Sequence, residues 1–361
     1  MFGSAVLLGL SALAAAAPVQ DCYGPDSGQV PFTFPLANGF PNVAIPSDAL
    51  TQIQRTAQGT LPNGGLPANV SANSAEAFKI VAFNEIFEVA YFNALINNIT
   101  NNVPGYAFVD DASKQSVLKK LNAIQAQEQL HALGANAILA TNNVAPIQAC
   151  QYVFPVTTFN DAIALASTFT DVVLGTLQSV DFNLGINRDT ELLGLLTSIV
   201  GQEGEQDGYF RTLIGKIPSA LPFLTAAAGP FAASVLLQDF VVPGSCGNLN
   251  TINVAVFPAL SVDSANITLA DQTLNFSFHS NDTTDGLSVV YINQQNTPVT
   301  TPLTNVQKTG DLVSFSAQFP GDTNLMNGLT LVAVTNSAGP FSGAEAVAAA
   351  TKFGPGIIEI N

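Results

Sequence analysis

Basic residues are scarce in this chain. Ten Lys and Arg stand against 26 Asp and Glu over 361 residues, a net charge of −16. Nucleic acids and anionic membranes are held by clustered cations, so neither is an expected partner. Charge of either sign is limited to 10% of the residues, whereas 47% are hydrophobic. No run beyond the N-terminal segment reaches the ~20 apolar residues of a membrane span without polar breaks. No internal repeat of fixed period is present, and residues 353–361 offer no apolar tail for a lipid anchor. The cysteines number three, Cys22, Cys150 and Cys246, an odd count that leaves at least one unpaired within a single chain.

The stretch from Ala5 to Ala17 is apolar and ends in four alanines. It lacks a basic n-region but resembles a secretory signal with a small-residue cleavage site, so residues 1–17 are expected to be a signal peptide and the protein to be secreted or associated with a cell wall. Asn-x-Ser/Thr triplets at Asn69, Asn98, Asn266, Asn275 and Asn281 are candidate N-glycan acceptors. Cys150 and Cys246 each fall in a loop flanking the helical region and are the favoured disulfide pair. Their link would close about a hundred residues and contribute ~4 kcal/mol in the chain-entropy description. Cys22 would then be free or intermolecular.

The spacing of apolar residues predicts an α + β chain of two domains. Residues 18–73, rich in Pro, Gly, Asn and Ser, read as an extended N-terminal arm. Residues 74–245 read as an antiparallel four-helix bundle with a short fifth helix. The helices are expected at about 75–97, with Ser74 as N-cap, 112–140, 159–183 behind the cap Thr158, 190–214, and 230–241 opening on Pro230. Lys119 and Lys120 mark the solvent side of the second. Residues 246–361 show short alternating runs, at 267–269, 274–278, 288–292, 312–316 and 329–334, separated by turn residues, and read as a small β-sandwich. That region gathers no cluster of His, Cys, Asp or Glu, and His279 stands alone.

The informative residues are carboxylates set among apolar neighbours. Glu85 and Glu88 share a face in Phe83-Asn84-Glu85-Ile86-Phe87-Glu88-Val89-Ala90-Tyr91-Phe92. Glu128 and His131 form Glu-x-x-His in the second helix. Asp171 is the one acid of the third helix between Asp161 and Asp181, and Glu203 precedes Gln206 by three in the fourth. An ionised carboxylate is costly to bury unless paired, hydrogen-bonded or metal-bound. A carboxylate from each of two helices plus Glu-x-x-His from two others builds a dinuclear metal site in a bundle. Here Glu85, Glu88, Glu128, His131, Asp171, Glu203 and Gln206 are the candidate set, with Gln206 where a second His would stand. A neutral amide is a weaker ligand than imidazole. The set could hold one metal, two weakly, or none. Gly201, Gly204 and Gly208 in the same helix read as room for a neighbouring backbone or beside a polar centre.

Asn84-Glu85-Ile86-Phe87-Glu88-Val89-Ala90-Tyr91-Phe92, Glu128-Gln129-Leu130-His131 and Glu203-Gly204-Glu205-Gln206-Asp207-Gly208-Tyr209-Phe210-Arg211 together resemble the ferritin-like domain of fungal stress-response and late-sexual-development proteins, to which plant desiccation-related proteins are similar. The resemblance spans about residues 70–245. It implies a ferritin-like bundle, export, and induction by stress or development. It places Glu85, Glu128, His131, Asp171 and Glu203 at ligand positions for iron or manganese, weakly held or not held, with Gln206 departing from the pattern. Three functions stay open: a secreted, non-catalytic glycoprotein with a degenerate site; a di-iron or di-manganese carboxylate protein or oxidase, with Tyr91 or Tyr209 tuning the metal; and an adhesion module binding a wall polymer or protein. If the acids face one interior pocket, Gln206→His raises the affinity for Fe(II) or Mn(II) in isothermal titration. An unchanged affinity would count against that pocket.

Overall fold

A computed structural model describes residues 33–361. The expected signal peptide, Cys22 and the start of the arm lie outside the described residues. The chain builds a helical half followed by two antiparallel sheets.

The arm is not wholly extended, because Asp48–Ala57 forms helix α1. Ser47 caps it by accepting from the Leu50 amide, Asp48 lies in its first turn and Arg55 in its last, all favourable to the helix dipole. Leu50, Ile53 and Ala57 bury one stripe, and α1 packs on α3. The long helices are α2 (Ala72–Thr100), α3 (Asp111–Thr141), α4 (Phe159–Asn187) and α5 (Leu193–Leu213), with α6 at Gly229–Asp239. The cap of α2 is Ser71 rather than Ser74: Ser71 accepts from the Ser74 amide, while the Ser74 hydroxyl donates to Asp189 at 2.5 Å. Asp110 caps α3 and Thr158 caps α4. A single 3-10 turn at Thr190–Leu192 leads into α5.

Helix α2 is central. It packs on α3, α4 and α6, and every residue from Val81 to Phe92 is buried. Phe87, Tyr91, Phe92 and Phe169 meet edge to face, with Tyr91 and Phe169 4.8 Å apart and Phe87 and Phe169 5.2 Å apart. Each such ring contributes about 1.5–3 kcal/mol by leaving water. Helix α4 is long and apolar enough to cross a membrane by length and composition, but 78% of its most apolar window is buried within the protein. The Cys150–Cys246 disulfide forms. It ties the α3–α4 connection to the segment after α6, beside the antiparallel bridge of Tyr152 and Val241.

The C-terminal strands are β1 (Ser261–Val262), β2 (Asp271–His279), β3 (Ser288–Asn293), β4 (Val299–Pro302), β5 (Thr304–Thr309), β6 (Leu312–Pro320), β7 (Gly328–Thr335) and β8 (Thr351–Ile360), with helix α7 (Ala344–Ala350) before the last. They form two sheets, β1-β2-β6-β5 and β4-β3-β7-β8. Phe276, Phe278 and Phe315 of the first share a core with Tyr291, Val332 and Val334 of the second. The other face of β3 and β7, through Val290, Ile292 and Leu331, packs on Val172 of α4 and Phe231 of α6. Strands covered on both faces carry continuous apolar runs, as 288–292 and 329–334 do. The run 267–269 is not a strand, although Ile267 is buried.

Of the three glycines of α5 expected to make room, Gly208 does so, since a Cβ there would lie 3.4 Å from the Pro218 carbonyl oxygen, whereas Gly201 and Gly204 do not. A Cβ added at Gly201 or Gly204 would meet nothing within 4 Å, and both residues are exposed, so they admit no neighbour and merely weaken the helix. Gly201→Ala and Gly204→Ala should each stabilise by about 1 kcal/mol, a rise in melting temperature of roughly 1–2 °C in thermal denaturation.

Candidate metal centre

The burial of the middle of α2 leaves its acids no route to water. Glu85 and Glu88 are both fully buried. Glu128 of α3 and Glu203 of α5 are likewise 0% exposed, and His131 of α3 retains 13% of its side-chain surface. One donor atom from each of Glu85, Glu128, His131 and Glu203 lies within 4.8 Å of the other three. His131 Nδ1 is 3.0 Å from Glu128 Oε2 and 3.4 Å from both Glu85 Oε2 and Glu203 Oε1. Three helices thus aim three carboxylates and an imidazole at one point.

The electrostatics of this point are unfavourable without a cation. Burial raises the pKa of Glu85 and of Glu128, and His131 only partly offsets it. Burial and the neighbouring Glu128 push Glu203 up to about 7. Burial followed by repulsion from Glu203, Glu128 and Glu85 holds Glu88 well above the usual carboxylate range. For His131, burial disfavours the imidazolium, but Glu128 and Glu85 outweigh it and raise its pKa well above the ordinary value. Its Nδ1 faces all three carboxylates. Both oxygens of Glu85, both of Glu203 and Oε2 of Glu88 are buried without a hydrogen-bond partner. Orphaned carboxylate oxygens around one imidazole fit a divalent transition ion, and an oxygen-rich set with one nitrogen suits iron or manganese.

The remaining predicted residues have other positions. Glu88 is not one of the four convergent donors; its Oε1 accepts from Asn84 Nδ2 at 2.9 Å. Gln206, at the position where a second histidine would stand, has a buried Oε1 without a hydrogen-bond partner. Its Nε2 donates to Glu128 Oε1, which orients that carboxylate and engages one of its two oxygens. Tyr91 donates to the Ala162 carbonyl at 2.6 Å and does not bond the acids. Tyr209, pushed up to about 12 by burial, lies under Lys120, whose Nζ is 5.2 Å from its ring centroid.

Asp171 does not join the centre. One residue is about 100° of helix rotation, and Asp171 lies instead in the field of Glu359 of β8 and of Asp207 and Arg211 of α5. Burial, then Glu359 and Asp207, hold it well above its ordinary pKa, opposed by Arg211 and Lys216. Asp207 accepts from Ser167 at 2.5 Å and is raised by burial to about 6. Glu359 of β8, with neither oxygen hydrogen-bonded, is raised by burial to about 7. Arg211, 1% exposed, donates from Nε to Ile217 at 2.7 Å and from Nη2 to Asn361 at 2.5 Å. This is a second buried charge cluster, where the two halves of the chain meet.

Two residues outside the predicted set complete the wall of the first centre. Gln202 Nε2 donates to Gln127 Oε1 at 3.0 Å, and Gln206 Nε2 approaches the same oxygen at 3.4 Å. A signal was present: Gln127 and Gln202 each immediately precede a convergent glutamate. Singly, they read as ordinary polar positions.

The second cluster makes stability depend on pH. Glu359 binds its proton more tightly folded, near 7, than unfolded, near 4.3. Its contribution is therefore full below about pH 4 and is lost as pH rises through about 7. The melting temperature of the parent protein relative to Glu359→Gln should fall by a few degrees between about pH 5 and pH 8. A constant difference across that window would contradict the assignment.

Comparison with known families bears on the helical segment. A model of the ferritin-like domain matches residues 73–216, the span from the start of α2 to just beyond α5. No curated protein matches the chain. The segment that resembles ferritin-like domains is the one that carries Glu85, Glu128, His131 and Glu203.

Proposed function

We propose that the protein binds a single iron or manganese ion in its helical half. The observation that carries this reading is the convergence of Glu85, Glu128, His131 and Glu203 within 4.8 Å, with the oxygens of Glu85 and Glu203 unpartnered. One ion is favoured over two because the second imidazole is replaced by Gln206, whose amide holds Glu128 Oε1, and because Glu88 is engaged by Asn84. A bound iron or manganese would supply Lewis acidity and one-electron chemistry. The chain's own residues would hold it: the carboxylates of Glu85, Glu128 and Glu203 would balance its charge, His131 would offer the one nitrogen donor, and Gln206 fixes the orientation of Glu128.

The biological setting is part of the proposal. The N-terminal signal-like segment and the glycosylation triplets support a secreted or wall-associated glycoprotein acting in stress tolerance or development, with a wall polymer or protein as partner. Asn69, Asn266, Asn275 and Asn281 are exposed and suit glycan attachment. Asn98 does not: it is 4% exposed within α2.

Titration of metal-free protein with Mn(II), or with Fe(II) under anaerobic conditions, should show saturation near one equivalent. Gln206→Ala should weaken binding roughly 10- to 100-fold, as loss of a group orienting a ligand does, and Glu203→Ala should abolish it. Absence of saturable binding by folded protein would overturn the reading.

A further inference from the structure

A cavity of about 290 Å³ opens beside the centre. Phe78 and Val81 of α2, Leu130 and Ile138 of α3, and Leu195 and Ile199 of α5 form its walls. Its contacts on α3 run from Gln127 to Ile138 and on α5 from Leu195 to Gln202, so the slot is roughly 10–16 Å long at 1.5 Å per helical residue. The segment after α1, including Leu61 and Pro62, covers it. His131 lines it as well, and His131 is the one convergent donor with accessible surface.

Three observations define what fits. No Lys, Arg, Asp or Glu lines the cavity, and His131 is its one ionisable group. Behind His131 stand the buried carboxylates of Glu85, Glu128 and Glu203, which disfavour an anionic head group. Gln202, also in the lining, has a buried Oε1 with no hydrogen-bond partner. A buried acceptor left unsatisfied costs about 1–3 kcal/mol, which a hydroxyl donor would recover.

Gly134 shows that this space is built into α3. Glycine inside a helix costs about 1 kcal/mol relative to alanine. Such glycines often permit close backbone approach, yet a Cβ at Gly134 would meet only Leu61 Cδ2, at 3.8 Å. What the missing side chain leaves is volume. We propose that this cavity binds a neutral, apolar alcohol or phenol, its tail between α2, α3 and α5 and its hydroxyl donating to Gln202 Oε1 next to His131. The volume lies at the lower edge of that of small-molecule sites. The assignment extends the metal-centre reading by naming the molecule held beside it.

The test uses the full chain freed of metal, so the cavity and the metal site succeed or fail separately. The neutral fluorophore N-phenyl-1-naphthylamine should bind saturably at about one site per chain and be displaced by 1-decanol much more effectively than by decanoate. Gly134→Leu should weaken probe binding at least tenfold without lowering the melting temperature. Ile199→Phe narrows the same slot from α5 and should do likewise, which covers the case in which Gly134→Leu does not fold. Gln202→Leu should remove the preference for decanol over decane. Absence of saturable probe binding, unaltered binding by a folded cavity-filling variant, or equal displacement by decanoate would each overturn the proposal. Metal titration in parallel reports on the other reading: a protein that binds Mn(II) but no probe retains its centre and loses the pocket.

Discussion

Confining the carboxylates of α2, α3 and α5 around one imidazole is the constraint on which the helical half depends. Desolvation and mutual repulsion both drive such groups toward water. Their escape is blocked by packing: α2 has no solvent face between Val81 and Phe92, and rings from α2 and α4 interlock beside the acids. The disulfide and the capped helix starts hold the frame against that repulsion. A fold that spends stability to keep like charges together in an apolar interior is behaving as functional sites commonly do.

The glutamines give this arrangement its asymmetry. On the α2 side the one amide bonded to an acid is Asn84, which holds Glu88, whereas Gln127, Gln202 and Gln206 form a connected strip of amides between α3 and α5. Amides orient a carboxylate without adding charge, so the strip separates the acids from the exterior and leaves their net charge to be balanced from within. The departure from a two-histidine pattern is then a coherent local design rather than an isolated loss, because Gln206 bonds Glu128 as well as Gln127.

Much of the helical half was legible in the sequence, since 3.6-residue periodicity and caps such as Thr158 are local signals. Glu85, Glu128, His131 and Glu203 were legible because a carboxylate flanked by apolar residues on a long helix has few alternatives to an interior partner. Asp171 was misassigned because α4 is apolar on nearly every side. Nothing in its pattern sets the rotation of the helix, and only contact with β8 and α5 decides it. Helix α1 was hidden by Pro- and Gly-rich flanks, though its Ser47 cap and the stripe of Leu50, Ile53 and Ala57 were visible. Strand β5 is exposed along its whole length and so lacks the alternation that reveals strands. Strand β8 contains Gly354-Pro355-Gly356, which reads as a turn.

The contact of Arg211 with Asn361, and the insertion of Glu359 beside it, bear on the modularity of the chain. A guanidinium this deeply enclosed draws one of its hydrogen-bond acceptors from a residue 150 positions away, and the carboxyl of Glu359 on the last strand lies in its field. The helical half therefore shares both polar and apolar interior surface with the strands. Without the strands, Arg211 would turn to water, and the apolar surfaces of Val172 and Phe231 that now meet Val290 and Leu331 would be bared.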